Sequence, residues 1–246
     1  MIRAFLVTFI TFAYIVVLGP PYLIYGLISG DNRPLYNIGK RGARMAVWLA
    51  GAHLEVHGHD KIPTGRAVVF MANHQSNCDP PAIVAVLPPV VIMAKKEFFR
   101  VPILGRGMKA CGFIPVNRRN REQAFEAVER GVAALKAGRS FLVYPEGTRS
   151  PDGRLQRFKR GVFIMAIKAG APVVPISISG GRKIMPKGKF VMRPGLVRIT
   201  FHEPVSTEGL TIEDRQLVID RVREAILSGL EENEWPLDER KAGDRE

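Results

Sequence analysis

The chain has 246 residues, 46% of them hydrophobic and 24% charged, enough for one sizeable core and about one or two domains; this composition excludes an intrinsically disordered chain. Two cysteines, Cys78 and Cys111, exclude a disulfide framework and fit a reducing compartment. The net charge of +13 is split, with 30 Lys and Arg against 11 Asp and Glu in residues 1–204 and 6 against 12 in residues 205–246, so the cationic body calls for an anionic partner: nucleic acid, an anionic bilayer or a phosphorylated substrate.

Between Arg3 and Asp31 run 27 residues without formal charge, and about 20 apolar residues suffice to cross a bilayer as a helix. Pro20 and Pro21 interrupt the run, so residues 1–30 read as a hydrophobic membrane anchor, either one kinked span or a re-entrant helical hairpin. No small-x-small cleavage site ends it. The cations that follow, Arg33, Lys40, Arg41 and Arg44, favour a main domain on the cytoplasmic face of the inner (plasma) membrane. Residues 31–52 form a basic connector helix, whose Lys40, Arg41 and Arg44 share one side and face either lipid headgroups or solvent.

From residue 53 to 233, short β-type runs alternate with helical ones. LEVHG, AVVFMA, VVIMA, FLVYP, VVPISI and LVRITF are the strands. Phe125, Val128, Val132 and Leu135 give the apolar face of a helix stopped by Gly138. RGVFIMAIKAG and the segment from Thr211, with Val218, Val222 and Ile226, form two more. This alternation predicts an α/β fold, a mostly parallel mixed sheet flanked by helices, carried on the N-terminal hydrophobic anchor. The acidic residues 234–246 are expected to be a mobile tail.

Two strand ends carry the chemistry. VFMANHQSNCDPP, Val69 to Pro81, closes an apolar run with His74, and Asp79 follows five positions on. A neutral imidazole takes a proton from an alcohol when a carboxylate holds its other nitrogen as a donor. Asp79 before Pro80 and Pro81 equally has the form of a helix N-cap with proline in the first turn; taken alone, the two readings stand level. Ser76 and Cys78 lack a glycine-flanked nucleophile elbow and read as loop packing. YPEGTRS, Tyr144 to Ser150, ends another apolar run, with Glu146 as an acceptor, Arg149 as a forked donor for phosphate and Gly147 as a point of close backbone approach. In open α/β sheets ligands gather outside the carboxyl ends of strands. Further cations cluster at such ends: Lys95 and Lys96, then Arg118, Arg119 and Arg121, then Lys159 and Arg160 at a helix entrance. That clustering fits an anionic substrate. His53, His57 and His59 have no accompanying ligand pattern, so no metal is expected.

His74 and Asp79 within NHQSNCD, then GFIPVNR, YPEGTRS and VVPISI, resemble in order the four blocks of the glycerolipid acyltransferases, with Lys95 before the second block and FKRG after the third. The likeness is greatest to the bacterial lysophosphatidate acyltransferases of the PlsC type and runs from about Leu54 to Pro204. Tyrosine precedes the third block's proline where phenylalanine is common, and Asn117 stands before Arg118 where an acid is frequent. The resemblance implies transfer of a fatty acyl group from acyl carrier protein or coenzyme A to the sn-2 hydroxyl of 1-acyl-sn-glycerol 3-phosphate, giving phosphatidate without an acyl-enzyme. It implies His74 as general base aligned by Asp79, Arg118 and Arg149 on the acceptor phosphate, and Glu146 and Gly147 on the glycerol. Thr148, Lys95 and Lys159 are implied as further substrate-binding residues. No cofactor beyond the thioester co-substrate is implied. The expected partners are lysophosphatidate, the acyl carrier protein or coenzyme A thioester and an anionic bilayer surface, with no nucleic acid, since no nucleic-acid-binding motif appears. Another lysolipid such as lyso-ornithine lipid, or glycerol 3-phosphate, fits the same motifs as acceptor, and a hydrolase would use the same pair on water.

Overall fold

In the computed structural model, which describes residues 1–117 and 120–237, the alternating runs become seven strands: β1 (Ala52–His57), β2 (Val69–Ala72), β3 (Val91–Lys95), β4 (Ile114–Val116), β5 (Phe141–Val143), β6 (Val173–Ser179) and β7 (Gly195–Phe201). They lie in the order β1-β7-β6-β2-β5-β3-β4. Every neighbouring pair is parallel except β6 and β7. The mostly parallel mixed sheet expected from the sequence is the one that forms.

Helices cover both faces, which is why β2, β5 and β6 read as unbroken apolar runs. Val69, Met71, Phe141 and Val143 pack into a layer with α5 (Arg121–Lys136), α6 (Gly161–Ala169) and α8 (Arg215–Ser228). Phe70, Ala72, Leu142 and Ile176 face the other way, towards α3 (Asp79–Val86). Phe70, Phe141, Phe163 and Phe201 are fully buried, and each such side chain stabilises the fold by about 1.5–3 kcal/mol. Stability therefore sits at the sheet centre, and the carboxyl ends of β2, β5 and β6 are left to carry polar residues. Thr211 and Asp214 form the capping box that starts the turn into α8.

α1 (Ile2–Ser29) is one unbroken helix with Pro20 and Pro21 inside it, not two short helices. It is long and apolar enough to cross a membrane, and 11% of its most apolar window is buried. α2 (Arg33–Leu49) packs back on it. The Tyr14 hydroxyl donates to the Ile38 carbonyl at 2.9 Å, and a Cβ on Gly42 would lie 2.8 Å from the Tyr14 ring. The connector helix thus stops at Leu49, because the residues from Ala52 pair as β1.

Two cations of its basic side also reach a neighbouring helix, while Arg41 and Arg44 remain exposed. Lys40 Nζ donates to the Leu87 carbonyl and Arg44 Nε to the Ala85 carbonyl, the latter at 3.0 Å. Carbonyls at a helix end are where cations are favoured, so α2 clasps the end of α3, whose first residue is Asp79. Glu234 and Trp235, expected in a mobile tail, belong to the fold: the Leu155 amide donates to the Glu234 carbonyl at 2.9 Å and Trp235 packs against the α8 layer. The acidic stretch from residue 238 onward, and Arg118 and Arg119, lie outside the described residues.

Candidate active site

β2 ends at Ala72, and Asn73 prolongs its ladder with a side chain: Nδ2 donates to the Ile178 carbonyl at 2.8 Å, and Oδ1 accepts from the Ile178 amide at 2.7 Å. With the amide doing the pairing, the backbone turns away and delivers His74 at the carboxyl edge of the sheet. His74 Nδ1 lies 2.8 Å from Asp79 Oδ2. The same oxygen accepts from the backbone amides of Gln75 and Ser76, each at 2.7 Å. A carboxylate can only accept, so Nδ1 bears the proton and Nε2 keeps its lone pair.

Asp79 is not the helix cap that its local sequence resembles. It is the first residue of α3, and Pro80 and Pro81 behind it have no N–H to be capped. Its carboxylate, wholly buried, organises the preceding loop instead. Its second oxygen, Oδ1, is buried without a partner among the described residues beside the start of α7 (Gly181–Ile184), where a Cβ on Gly181 would stand 2.4 Å from it. A displacement of about 1 Å in such a constellation costs about 10²-fold in rate. Gly181→Ala is therefore expected to cut turnover by about that factor, shown by steady-state rates beside a melting curve that shifts only slightly.

YPEGTRS closes around the histidine. The Tyr144 ring stacks on the imidazole, with centroids 4.2 Å apart and planes inclined by 25°. Glu146 Oε1 accepts from the His74 amide at 2.6 Å, and the Ser150 amide donates to the His74 carbonyl at 2.7 Å. Both main-chain polar groups of His74 are thus held by the segment that follows β5. Glu146 is 3% exposed, and its Oε2 accepts from the Gln156 amide and side-chain Nε2 at 3.2 and 2.9 Å. Burial pushes its carboxyl up to about 7, against the opposite pull of the His74 and Gln156 donors. Both oxygens are engaged within the fold, so Glu146 holds the main chain of the base.

Gly147 adopts φ 73° in the turn closed by its amide on the Tyr144 carbonyl at 2.9 Å, and a Cβ there would press on the Lys159 stem at 2.9 Å. The Lys159 amide in turn donates to the Pro145 carbonyl at 2.8 Å. Thr148 is exposed, with its carbonyl accepting from Gln156 Nε2 at 3.2 Å. Arg149 is half-buried, and its carbonyl accepts from Lys187 Nζ at 2.7 Å. Lys95 ends β3, two strands from β2 along the same edge, and its ammonium lies 3.3 Å from Glu97. The structure thus gathers His74, Asp79, Glu146, Gly147, Thr148, Arg149 and Lys159, and leaves Lys95 further along.

Ser76 and Cys78 are loop packing, as expected. Ser76 Oγ donates to the Met185 carbonyl at 2.8 Å and accepts from the Cys78 amide at 3.0 Å. Burial, reinforced by the charge of Asp79, pushes the Cys78 thiol up to about 12, so no thiolate is present to attack. Asn73, Gln156 and Gly181 were not legible as site residues. The one available signal is Asn73, an amide closing an apolar run directly before the histidine.

An apolar groove of about 500 Å³ reaches Asn77 and Cys78 from between α1, α2 and the loop bearing Phe98, Val101 and Leu104. It shares Ile15, Pro81 and Leu104 with a second apolar cavity of about 280 Å³.

The acyltransferase family model matches residues 53–179, from β1 to the end of β6. Curated relatives include the 1-acyl-sn-glycerol-3-phosphate acyltransferase BAT2, chloroplastic, of Brassica napus, 35% identical over 153 residues, which are 61% of this chain and 44% of that protein. The 1-acyl-sn-glycerol-3-phosphate acyltransferase of Borreliella burgdorferi is 30% identical over 190 residues, 76% of each chain. The chain spans about half the length of the Brassica, Arabidopsis and Chlamydomonas relatives it matches. Among solved structures, that of the 1-acyl-sn-glycerophosphate (LPA) acyltransferase PlsC from Thermotoga maritima superposes with a TM-score of 0.76 and 29% identity, over 91% of this chain and 94% of that one. A family model spanning the sheet from β1 to β6, and a bacterial relative matched over 76% of both chains, agree on one assignment: the chain belongs to the acyltransferase family.

Proposed function

We propose that this protein transfers a fatty acyl group from a thioester to the free sn-2 hydroxyl of 1-acyl-sn-glycerol 3-phosphate. The observation that carries the reading is the His74–Asp79 pair at 2.8 Å, which leaves Nε2 as the base; the activities for which the relatives are named support the acceptor. In this reading Nε2 takes the hydroxyl proton as the oxygen attacks the thioester carbon, and Asp79 stabilises the imidazolium that forms. The tetrahedral adduct then collapses, the carbon–sulfur bond breaks, and the departing sulfur takes the proton back from His74. One ester forms for each thioester lost, and no acyl-enzyme is needed. Arg149, on the segment that braces the histidine, suits the acceptor phosphate.

The apolar groove that reaches Asn77 and Cys78 suits the acyl chain. α1 presents Phe5, Phe9 and Phe12 outward and in this reading anchors the domain at the cytoplasmic leaflet, so that a lipid acceptor passes from the bilayer to the base along the groove that α1 lines. Coenzyme A or acyl carrier protein supplies the same thioester bond. The test is the purified full chain with vesicles, labelled acyl-coenzyme A or acyl carrier protein, and a panel of 1-acyl-glycerol 3-phosphate, other lysolipids and glycerol 3-phosphate. Phosphatidate is the expected product on thin-layer chromatography. Free fatty acid without an ester product would refute transfer, and faster use of another lysolipid would refute the acceptor.

A further inference from the structure

The strap of residues 185–193 divides two concavities of opposite character. Met185 and Met192 line the apolar groove, whereas Pro186, Lys189 and Arg193 line a polar pocket of about 430 Å³ on the α7 side. Arg182 and Lys183 complete its basic wall. Lys183 is paired with Glu231 at 2.9 Å, but Arg182, Lys189 and Arg193 make no ion pair among the described residues. The two acids in the lining are engaged elsewhere. Glu234 accepts from the amides of Gly180 and Glu231 at 3.2 and 3.1 Å. Asp152 accepts from Ser150 Oγ and the Arg154 amide at 2.9 and 3.0 Å.

Gln75, the residue after His74, also lines this pocket. The residue is 1% exposed, and neither Nε2 nor Oε1 has a partner among the described residues. A buried primary amide left unpaired is unfavourable unless a ligand or water completes it, and its NH₂ group is a donor of the kind that phosphate oxygens accept. Three cations without an ion pair among the described residues, lining one pocket with such a donor, have the chemistry of a phosphate site.

We infer that this pocket binds a phosphate group of one of the reaction's two substrates, with Gln75 Nε2 donating to a phosphate oxygen and Arg182, Lys189 and Arg193 balancing its charge. The inference rests on the acyl-transfer reading. It adds an anion site distinct from Arg149, which does not line this pocket. Gln75 and the base share one anchor, since the Gln75 amide and His74 Nδ1 both bind Asp79 Oδ2. A ligand seated on Gln75 is thereby fixed relative to the proton acceptor. The acceptor's phosphomonoester and the phosphates of a coenzyme A donor carry the same chemistry, and the kinetics tell them apart.

The experiment uses the full chain in detergent micelles, with inorganic phosphate as the probe and ³¹P line broadening as a readout that needs no turnover. The wild type is expected to bind phosphate, and the Lys189→Gln/Arg193→Gln double variant to bind it about tenfold more weakly, the loss expected for one charge-assisted contact. Gln75→Leu, which keeps the fold's apolar volume, should show the same loss. In parallel, KM is measured separately for acceptor and donor. A rise of about tenfold in one of them, with kcat changed much less, assigns the pocket to that substrate. Phosphate binding that is absent in the wild type or unchanged in both variants overturns the site. Weakened phosphate binding with both KM values unchanged overturns its role in substrate binding. The phosphate measurement stands whether or not the lysophosphatidate assignment does, so the two readings fail separately.

Discussion

Replacing His74 with alanine is expected to lower turnover by about 10²–10⁴-fold, the contribution of a positioned general base, while the protein stays folded. The backbone at this position keeps its bonds to Glu146 and Ser150. Asp79 keeps two donors, the amides of Gln75 and Ser76. What is lost is one hydrogen bond to a buried carboxylate and the stack on Tyr144, about 1–3 kcal/mol out of the ~5–15 kcal/mol typical of a domain. Steady-state rates paired with a thermal melt check both halves, and near-normal turnover by the alanine variant would end the general-base mechanism. Asp79 then separates orientation from charge. An asparagine there is expected to keep its oxygen towards the three donors, because turning its NH₂ inward would set donor against donor. The tautomer survives but the charge that stabilises the imidazolium does not. Asp79→Asn should accordingly retain more turnover than Asp79→Ala, in which the ring is unheld; equal losses would mean that charge alone matters.

Most of the architecture was legible because it is written in local periodicity. Val218, Val222 and Ile226, spaced by four, are wholly buried on α8, and the helix carrying Phe125, Val128, Val132 and Leu135 forms as α5. The block GFIPVNR, absent from the strands read in the sequence, supplies the short β4 at Ile114–Val116. Where the sequence left the reading open, the deciding contact is distant in the chain. Lys40 and Arg44 read as part of one basic side, and the carbonyls they donate to, 47 and 41 residues on, leave no mark beside them. Asp79 before two prolines carries the marks of a cap as well as those of the histidine's partner, and the contacts of its carboxylate with the turn decide for the second. Glu146 was legible as an acceptor, but its donors are His74, 72 residues away, and Gln156. Gly181 has no local signal at all, because α7 spans four residues and the atom it makes room for belongs to Asp79, at the start of α3.

Glu146 is where the second large effect is expected. In Glu146→Gln the shape is kept, but one oxygen and one NH₂ replace two acceptors, facing the His74 amide and both Gln156 donors. Whichever way the new amide turns, it opposes a donor, a change of about 1–3 kcal/mol. Turned towards His74, it pushes the base from its place, and a shift of about 1 Å costs about 10²-fold. Because Glu146 holds the base, the fall should be in kcat, with the acceptor KM nearly unchanged; a raised KM with kcat intact would assign Glu146 to the glycerol. Stability supplies a second, independent reading. The native carboxyl sits at about 7 against an ordinary 4.5, so the folded state holds this proton more tightly than the unfolded one. That contribution is fully present below the unfolded carboxyl's value and is lost as the pH rises towards 7. Glutamine has no proton to lose. The stability advantage of the wild type over Glu146→Gln should therefore be widest near the ordinary carboxyl value and shrink by about 3 kcal/mol as the pH passes neutrality. An advantage that grew over that interval would mean that the three donors, and not burial, govern the carboxylate beneath the catalytic histidine, and a constant one that the two cancel.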